Sequence, residues 1–463
     1  MRFGFWTRFD YLWWGLFASL SAGVLAGILW LIPERAWLFP PAILAAVGLI
    51  FSLWRVERAF LVLLGLNVFG LLDVSPGIGP PELALAGYTL LFALRWGYEK
   101  RIRLGEPILD NPLAWAVAIF LGAVGLSALL GLAYGNPLVL VLRDFKRYLV
   151  FVFFFFLYDF FRRRPDFVGK HLVIYLTIAI GFSLYNSAEF FHNLTSAQAV
   201  WQAVAAREAK YYLVFFPAIV LCTALLLYHR RWLARLFFGF SAMACTAALV
   251  LTFSRGPWLA TAVAVAVVAA LVEGRDRRLL GLYVLGVFLA GVGLVLALAG
   301  PQGTLLAAGL VGRLLSIGKA VQADLSVLNR FAEWQAAWEA LSPNWITGWG
   351  LGATYPFLNI ITLRYLPEWD YIHNNFLFVW MTTGLVGLLA QLFFYGFGLL
   401  VTWRAWLASP DRFTRYVLAA SLGILIGMFI MLNTEAAWAM YDGIFATVFS
   451  IALGAASWRR GGA

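Results

Sequence analysis

The sequence predicts an all-α fold, a polytopic transmembrane helix bundle with one large outer loop carrying short amphipathic helices. Three observations predict it. Hydrophobic residues make up 63% of the 463 positions, mean hydropathy is +0.84, and only 12% of residues are charged, far from the roughly 25% charged of soluble domains. Apolar runs recur along nearly the whole chain, enough for about 12–14 spans of roughly 20 residues. One long polar interval, between Gly300 and His373, interrupts them.

In chain order the apolar runs before that interval are Tyr11–Ile32, Ala36–Trp54, Ala59–Leu72, Glu82–Trp96, Leu113–Tyr134, Arg147–Phe161, His171–Phe190, Tyr211–Tyr228, Trp232–Phe253, Pro257–Val272 and Leu279–Gly300. After it come Asn374–Trp403, Tyr416–Leu432 and Gly443–Trp458. The third and fourth are short, as re-entrant or tilted segments are. The expected organisation is therefore 1–300 as helices 1–11, 301–373 as the loop subdomain and 374–463 as helices 12–14. The opening MRFGFWTRFD is basic and aromatic with no small-residue cleavage site behind it, so the first run reads as a retained helix. Cys222 and Cys245 lie inside apolar runs and read as buried thiols.

Charge orients the chain. With the N-terminus inside, the inner connections Arg55–Arg58, Arg95–Arg103, Arg162–Lys170, Arg230–Arg235, Arg275–Arg278 and Arg404–Arg415, together with both termini, hold most of the 34 Lys and Arg, as cytoplasmic loops do. Both termini are expected to be cytoplasmic. The net charge of +11 follows this rule and an anionic inner leaflet, so membrane lipids and not nucleic acid are the expected polyanion.

Few cations remain outside, and they cluster. Arg143, Lys146 and Arg147 in "RDFKR" share one helical face, and Arg207 and Lys210 in "REAKYY" repeat that spacing. In "TFSRGPWLA", Pro257 suits a first helical turn and Arg255 stands just outside its N-terminus. A guanidinium beside unpaired N–H groups suits an anion such as a phosphate; the plainer reading is anchorage at the outer headgroups.

In the long interval, "LNRFAEWQAAWEAL" carries Leu328, Phe331, Trp334, Trp338 and Leu341 at amphipathic helical spacing. Arg330 precedes Trp334 by one turn, which suits either a cation–π contact or a phosphate. The following "SPNWITGWGLGATYP" has Gly348, Gly350 and Gly352, where a backbone turns tightly and approaches a ligand. At "YIHNNFLFVWMTTGLVG", Asn374 or Asn375 suits a helix cap. His373 stands at the positive helix end, which favours neutral imidazole, so it reads as a general base or as a belt histidine bonded to the loop. Asp370, three residues earlier, is a candidate to orient the imidazole if the loop folds back, and Glu435 or Asp442 at the last outer turn could do so from a distance, though the plainer reading of each is a solvated loop charge.

The set "TFSRGPW", "NRFAEWQAAW", "PNWITGWGLG" and "HNNFLFVWMTTGLVG" resembles the O-antigen ligase and O-antigen polymerase superfamily of bacterial envelope glycosyltransferases, from about Ser254 to Gly387. His373 and Asn374 followed by Gly384 and Gly387 resemble the ligase signature, but Leu388 and Leu389 stand where a Thr-Gly usually continues it. The resemblance implies a GT-C type enzyme of the bacterial inner membrane, without metal or cofactor, acting on the periplasmic face. It implies an undecaprenyl-diphosphate-linked glycan as donor and a glycan or the lipid A core as acceptor. By motif it makes Arg255, Arg330 and His373 the catalytic positions, with Arg207, and less directly Lys210, Arg143 and Arg147, on the diphosphate. Trp334, Asn374 and Asp370 are supporting candidates. Ligase, polymerase and protein O-oligosaccharyltransferase all fit. A lipid-linked oligosaccharide flippase would want polar residues at mid-bilayer, a peptidoglycan polymerase of the cell-shape and division class would use an outer-loop carboxylate, and a scaffold would leave the outer cations and His373 incidental.

Overall fold

A computed structural model describes residues 48–49, 51–71, 80–194, 211–298, 303–317 and 325–461. The first expected span, most of the second, and Arg207 and Lys210 lie outside the described residues. The chain divides into two compact units, Met1–Phe69 with Pro80–Pro107, and Gly70–Gly79 with Ile108–Ala463. In the first, α1 (Val56–Leu71) and α2 (Pro80–Gly97) pack Phe60 on Phe92, and Tyr88 donates to the Ala59 carbonyl. A π-helical turn, Tyr98–Arg103, follows, its Glu99 paired with Arg95 and Arg103 at 2.9 Å each.

The second unit runs through α3 (Pro112–Ala133), α4 (Leu138–Tyr148), α5 (Phe153–Arg163), α6 (Asp166–Leu194), α7 (Tyr212–Tyr228), α8 (Trp232–Leu251), α9 (Arg255–Leu271), α10 (Gly274–Leu298), α11 (Gly303–Ile317) and α12 (Leu325–Leu341). A hairpin, β1 (Tyr355–Asn359) and β2 (Arg364–Trp369), then leads to α13 (Asn375–Ala408), α14 (Arg412–Thr434) and α15 (Tyr441–Gly461). Helices α3, α6, α8, α13 and α14 are long and apolar enough to cross a membrane, and α7 and α9 are shorter apolar helices. The all-α bundle is the observed class.

Three details depart from the expectation. The outer loop contains an antiparallel hairpin, not helices alone: Tyr355 and Phe357 are buried on alternate positions of β1, and Asn359 Oδ1 accepts from the Ile361 and Thr362 amides to turn the chain. The sixth span starts nine residues early, because α4 passes through a 3₁₀ turn, Leu149–Val152, into α5. Helix α13 is not one rod: it breaks at Gly384, with φ 67° and ψ −175°.

Two packing devices position the site. Helices α9 and α14 approach through glycines: a Cβ on Gly423 would lie 2.6 Å from the Ala264 carbonyl oxygen, and one on Gly427 2.7 Å from that of Ala260, so only a missing side chain lets these backbones meet. At one end of the pair, Gly256 beside Arg255 faces Thr434 beside Glu435. The 3₁₀ turn and α5 wedge aromatics against α13, with Phe151 and Phe154 edge-on to Phe394 and Phe151 edge-on to buried Trp438. The Trp438 amide donates to Asn375 Oδ1 at 3.0 Å, pinning the turn after α14 to the start of α13.

Candidate functional site

The expected amphipathic helix is α12, and its spacing places Arg330, Glu333 and Trp334 on adjoining turns of one face. Glu333, only 1% exposed, accepts from three donors: Trp369 Nε1 at 2.8 Å, the His373 amide at 2.8 Å and His373 Nδ1 at 2.9 Å. Trp334 Nε1 donates to the His373 carbonyl at 3.2 Å. Asn374 Oδ1 accepts from the amides of Phe376 and Leu377, capping α13. His373 is thus held at its amide, carbonyl and ring, and by a cap on the residue after it.

With a carboxylate accepting at Nδ1, the ring proton belongs there, and Nε2 carries the lone pair. The His373 side chain is 28% exposed, and Nε2 lies 4.0 Å from Glu435 Oε2. Because Glu333 fixes the tautomer, Glu333→Gln is expected to lower kcat at least tenfold with little change in KM: one carboxamide oxygen cannot serve three donors. Unchanged kcat would remove Glu333 from this role.

Glu435, the residue that ends α14, closes the far side. It accepts from Arg330 Nη2 at 2.9 Å and from the Tyr371 hydroxyl at 3.2 Å, while that hydroxyl accepts from the Ala436 amide at 3.1 Å. Burial, and then the Glu435 charge, push the Tyr371 hydroxyl well above the ordinary phenol range, so it stays protonated as a donor. The Tyr371 ring stands edge-on to the His373 imidazole at 4.8 Å.

The expected site residues fall into three groups. His373, Arg330, Trp334 and Asn374 come together. Arg255 is the first residue of α9, not a residue outside it, after a turn through Phe253 at φ 51°; the close approach of Gly256 to Thr434 Oγ1 sets it at the Glu435 end of the bundle. Arg143 and Arg147 form a separate network: Arg143 pairs with Asp144 and Asp370, Arg147 lies 3.8 Å from Asp144, and Asp144 also accepts from the Gly352 amide at 3.0 Å.

Two expectations are corrected here. Asp370 does not orient the imidazole; it pairs with Arg143, and Glu333 takes the ring. Trp334 has its indole N–H on His373 and its edge on Phe331, while the Arg330 guanidinium pairs with Glu435. At the glycines of "WITGWGLG" the close approach is to backbone. A Cβ on Gly348 would sit 2.5 Å from the Met381 carbonyl oxygen, and one on Gly350 2.7 Å from that of Ser127. The loop is fastened by Trp349 N to Met381 O, Leu385 N to Ile346 O, Leu351 N to Ser127 O and Asn136 to the carbonyls of Trp349 and Leu351. It clamps α3 to the break in α13.

Sequence reasoning missed the roles of Glu333 and Glu435. Glu333 carried a signal, since it shares a helix face with Arg330 and Trp334. Glu435 carried a weaker one, its place with Asp442 at the last outer turn, but it read as a solvated loop charge, because 62 positions separate it from His373 and only the fold of α13 and α14 brings them together. Among the described residues no group of three or more His, Cys, Asp or Glu is arranged to hold a metal ion.

Residues 240–392, about a third of the chain, match the family model described as O-antigen ligase, so the resemblance to the O-antigen ligase and polymerase superfamily holds over that region. The match ends before Glu435. No curated protein matches the chain.

Proposed function

We propose, from the premise that residues 240–392 form an O-antigen ligase family region, that the chain is a membrane glycosyltransferase moving a glycan from undecaprenyl diphosphate to an acceptor sugar hydroxyl. The observation that carries the reading is the imidazole of His373, one nitrogen committed to buried Glu333 and the other facing Glu435, which pairs with Arg330. Nε2 takes the proton of the acceptor hydroxyl as its oxygen attacks the anomeric carbon. The bond from that carbon to the diphosphate oxygen breaks, and the diphosphate leaves with the electron pair. Arg330 and Arg255 stabilise it, since guanidinium keeps its charge and forks onto phosphate oxygens. The resemblance assigns Arg207, and less directly Lys210, to the diphosphate as well, whereas Arg143 and Arg147 hold the clamp loop through Asp144.

An apolar cavity of about 860 Å³ runs along α9, with Trp258 and Leu259 at the Arg255 end and Ala269 and Leu280 at the other. Its chemistry suits a polyprenyl chain whose diphosphate rests at Arg255. The site sits at the end of α13 and α14 opposite the basic connection Arg404–Arg415, which supports a periplasmic site in a chain of the bacterial inner membrane with both termini cytoplasmic. A lipid A core acceptor makes the enzyme a ligase, and a second lipid-linked repeat makes it a polymerase.

The test is turnover of a fluorescent undecaprenyl-diphosphate glycan by purified protein in EDTA, with a lipid A core acceptor or with donor alone. Transfer is expected in one of the two reactions. Arg255→Lys is expected to raise the donor KM about tenfold, because a point charge replaces a fork. Full activity of that variant excludes bidentate recognition by Arg255, and failure of the wild type to bind the donor sinks the lipid-diphosphate reading.

A further inference from the structure

The Arg330–Glu435 pair raises a problem for diphosphate binding, because the arginine assigned to the leaving group is already engaged by a carboxylate. Three observations bear on it. The pair is not sealed: Arg330 is 29% and Glu435 18% exposed, so a ligand in the site reaches both. The carboxylate stands where the helix disfavours it, immediately after the last turn of α14, whose aligned peptide dipoles make that end negative. Its Oε2 lies 4.0 Å from His373 Nε2, between the base and the phosphate-binding arginine, where the reacting groups must enter.

Resting on the lipid-diphosphate reading above, we infer that Glu435 is an exchange anion: it occupies Arg330 when the diphosphate site is empty, yields it to the incoming diphosphate, and reclaims it to release the diphosphate product. A diphosphate carries more charge and more acceptor oxygens than one carboxylate, so it wins the guanidinium when present. The displaced Glu435 keeps the Tyr371 hydroxyl as a donor. It then faces the Nε2–H that forms when His373 takes the acceptor's proton, and a carboxylate there stabilises the imidazolium. After transfer, undecaprenyl diphosphate still holds Arg330, and the return of Glu435 competes it away. The same device keeps Arg330 oriented between turnovers and prevents the product from poisoning the site.

The probe is undecaprenyl diphosphate itself, titrated onto purified full-length protein and used as an inhibitor of turnover. Glu435→Gln keeps the size and the Tyr371 bond while removing the competing charge; Glu435→Ala removes both and guards against an artefact of the amide. Both are expected to bind undecaprenyl diphosphate about tenfold more tightly than wild type and to be inhibited at about tenfold lower concentration, whereas Arg330→Gln binds it more weakly. Binding by the Glu435 variants equal to or weaker than wild type overturns the exchange and leaves Glu435 as an orienting partner of Arg330. The lipid-diphosphate reading survives that outcome if Arg330→Gln still loses affinity. A wild type that does not bind undecaprenyl diphosphate overturns both.

Discussion

Replacing His373 by alanine is expected to lower glycan transfer by about 10²–10⁴-fold, the range a general base supplies, while undecaprenyl diphosphate still binds within threefold of wild type. The separation follows from the geometry. Nδ1 is committed to Glu333, so Nε2 is the ring nitrogen left to meet an acceptor hydroxyl, and the arginines proposed for the diphosphate lie on other elements. The variant is expected to fold, since two of the three donors to Glu333 remain: the indole of Trp369 and the main-chain amide of residue 373 itself. Single-turnover transfer and lipid binding on the same preparation check both halves. Transfer above a third of the wild-type rate would remove His373 from the proton step, and a joint loss of binding and thermal stability would make its role structural.

Gly384→Ala is expected to destabilise the protein by about 3 kcal/mol or more, through backbone strain of about 1–3 kcal/mol plus the loss of loop hydrogen bonds. At φ 67° and ψ −175° the backbone is in a region that essentially only glycine adopts. A Cβ there would stand 2.6 Å from the carbonyl oxygens of both Ile346 and Thr347. Relief requires the clamp loop to withdraw, which breaks the bonds from Leu385 N to Ile346 O and from Trp349 N to Met381 O. That loop joins the helix carrying Glu333 to the hairpin before His373, so activity should fall with stability. Gly396→Ala, in the same helix with nothing within 4 Å of the added Cβ, is the control and should be neutral or slightly stabilising. Equal unfolding midpoints for the two variants in a denaturant titration in detergent would refute the clamp.

Much of the site was legible as residue types at particular spacings. His373 with Asn374 at the start of a helix, Arg330 with Trp334 one turn apart, and Arg255 ahead of Pro257 are local signals, because helix caps and i, i+4 neighbours depend only on nearby residues. Partners across the fold were not legible. The choice of Glu333 over Asp370 for the imidazole depends on the path of the chain through the hairpin: Tyr355 faces Trp369 in register, the Trp369 indole and the His373 amide both turn to Glu333, and Asp370 goes to Arg143. The glycines of "WITGWGLG" announced a close approach, but what they approach, the backbones of α3, α4 and α13, is set by how those helices are arranged.

The sequence alone determined that the chain is a membrane helix bundle, and that it carries His373, Arg255 and Arg330 near helix starts or on the amphipathic helix of its long polar interval. Hydropathy, helical period and capping are short-range quantities, readable from a window of residues. The tertiary structure alone decided that α9 and α14 meet through glycines, that α13 breaks at Gly384 to admit the clamp loop, and that Glu435 comes to lie between Arg330 and His373. Those are long-range contacts, and no local window contains both partners.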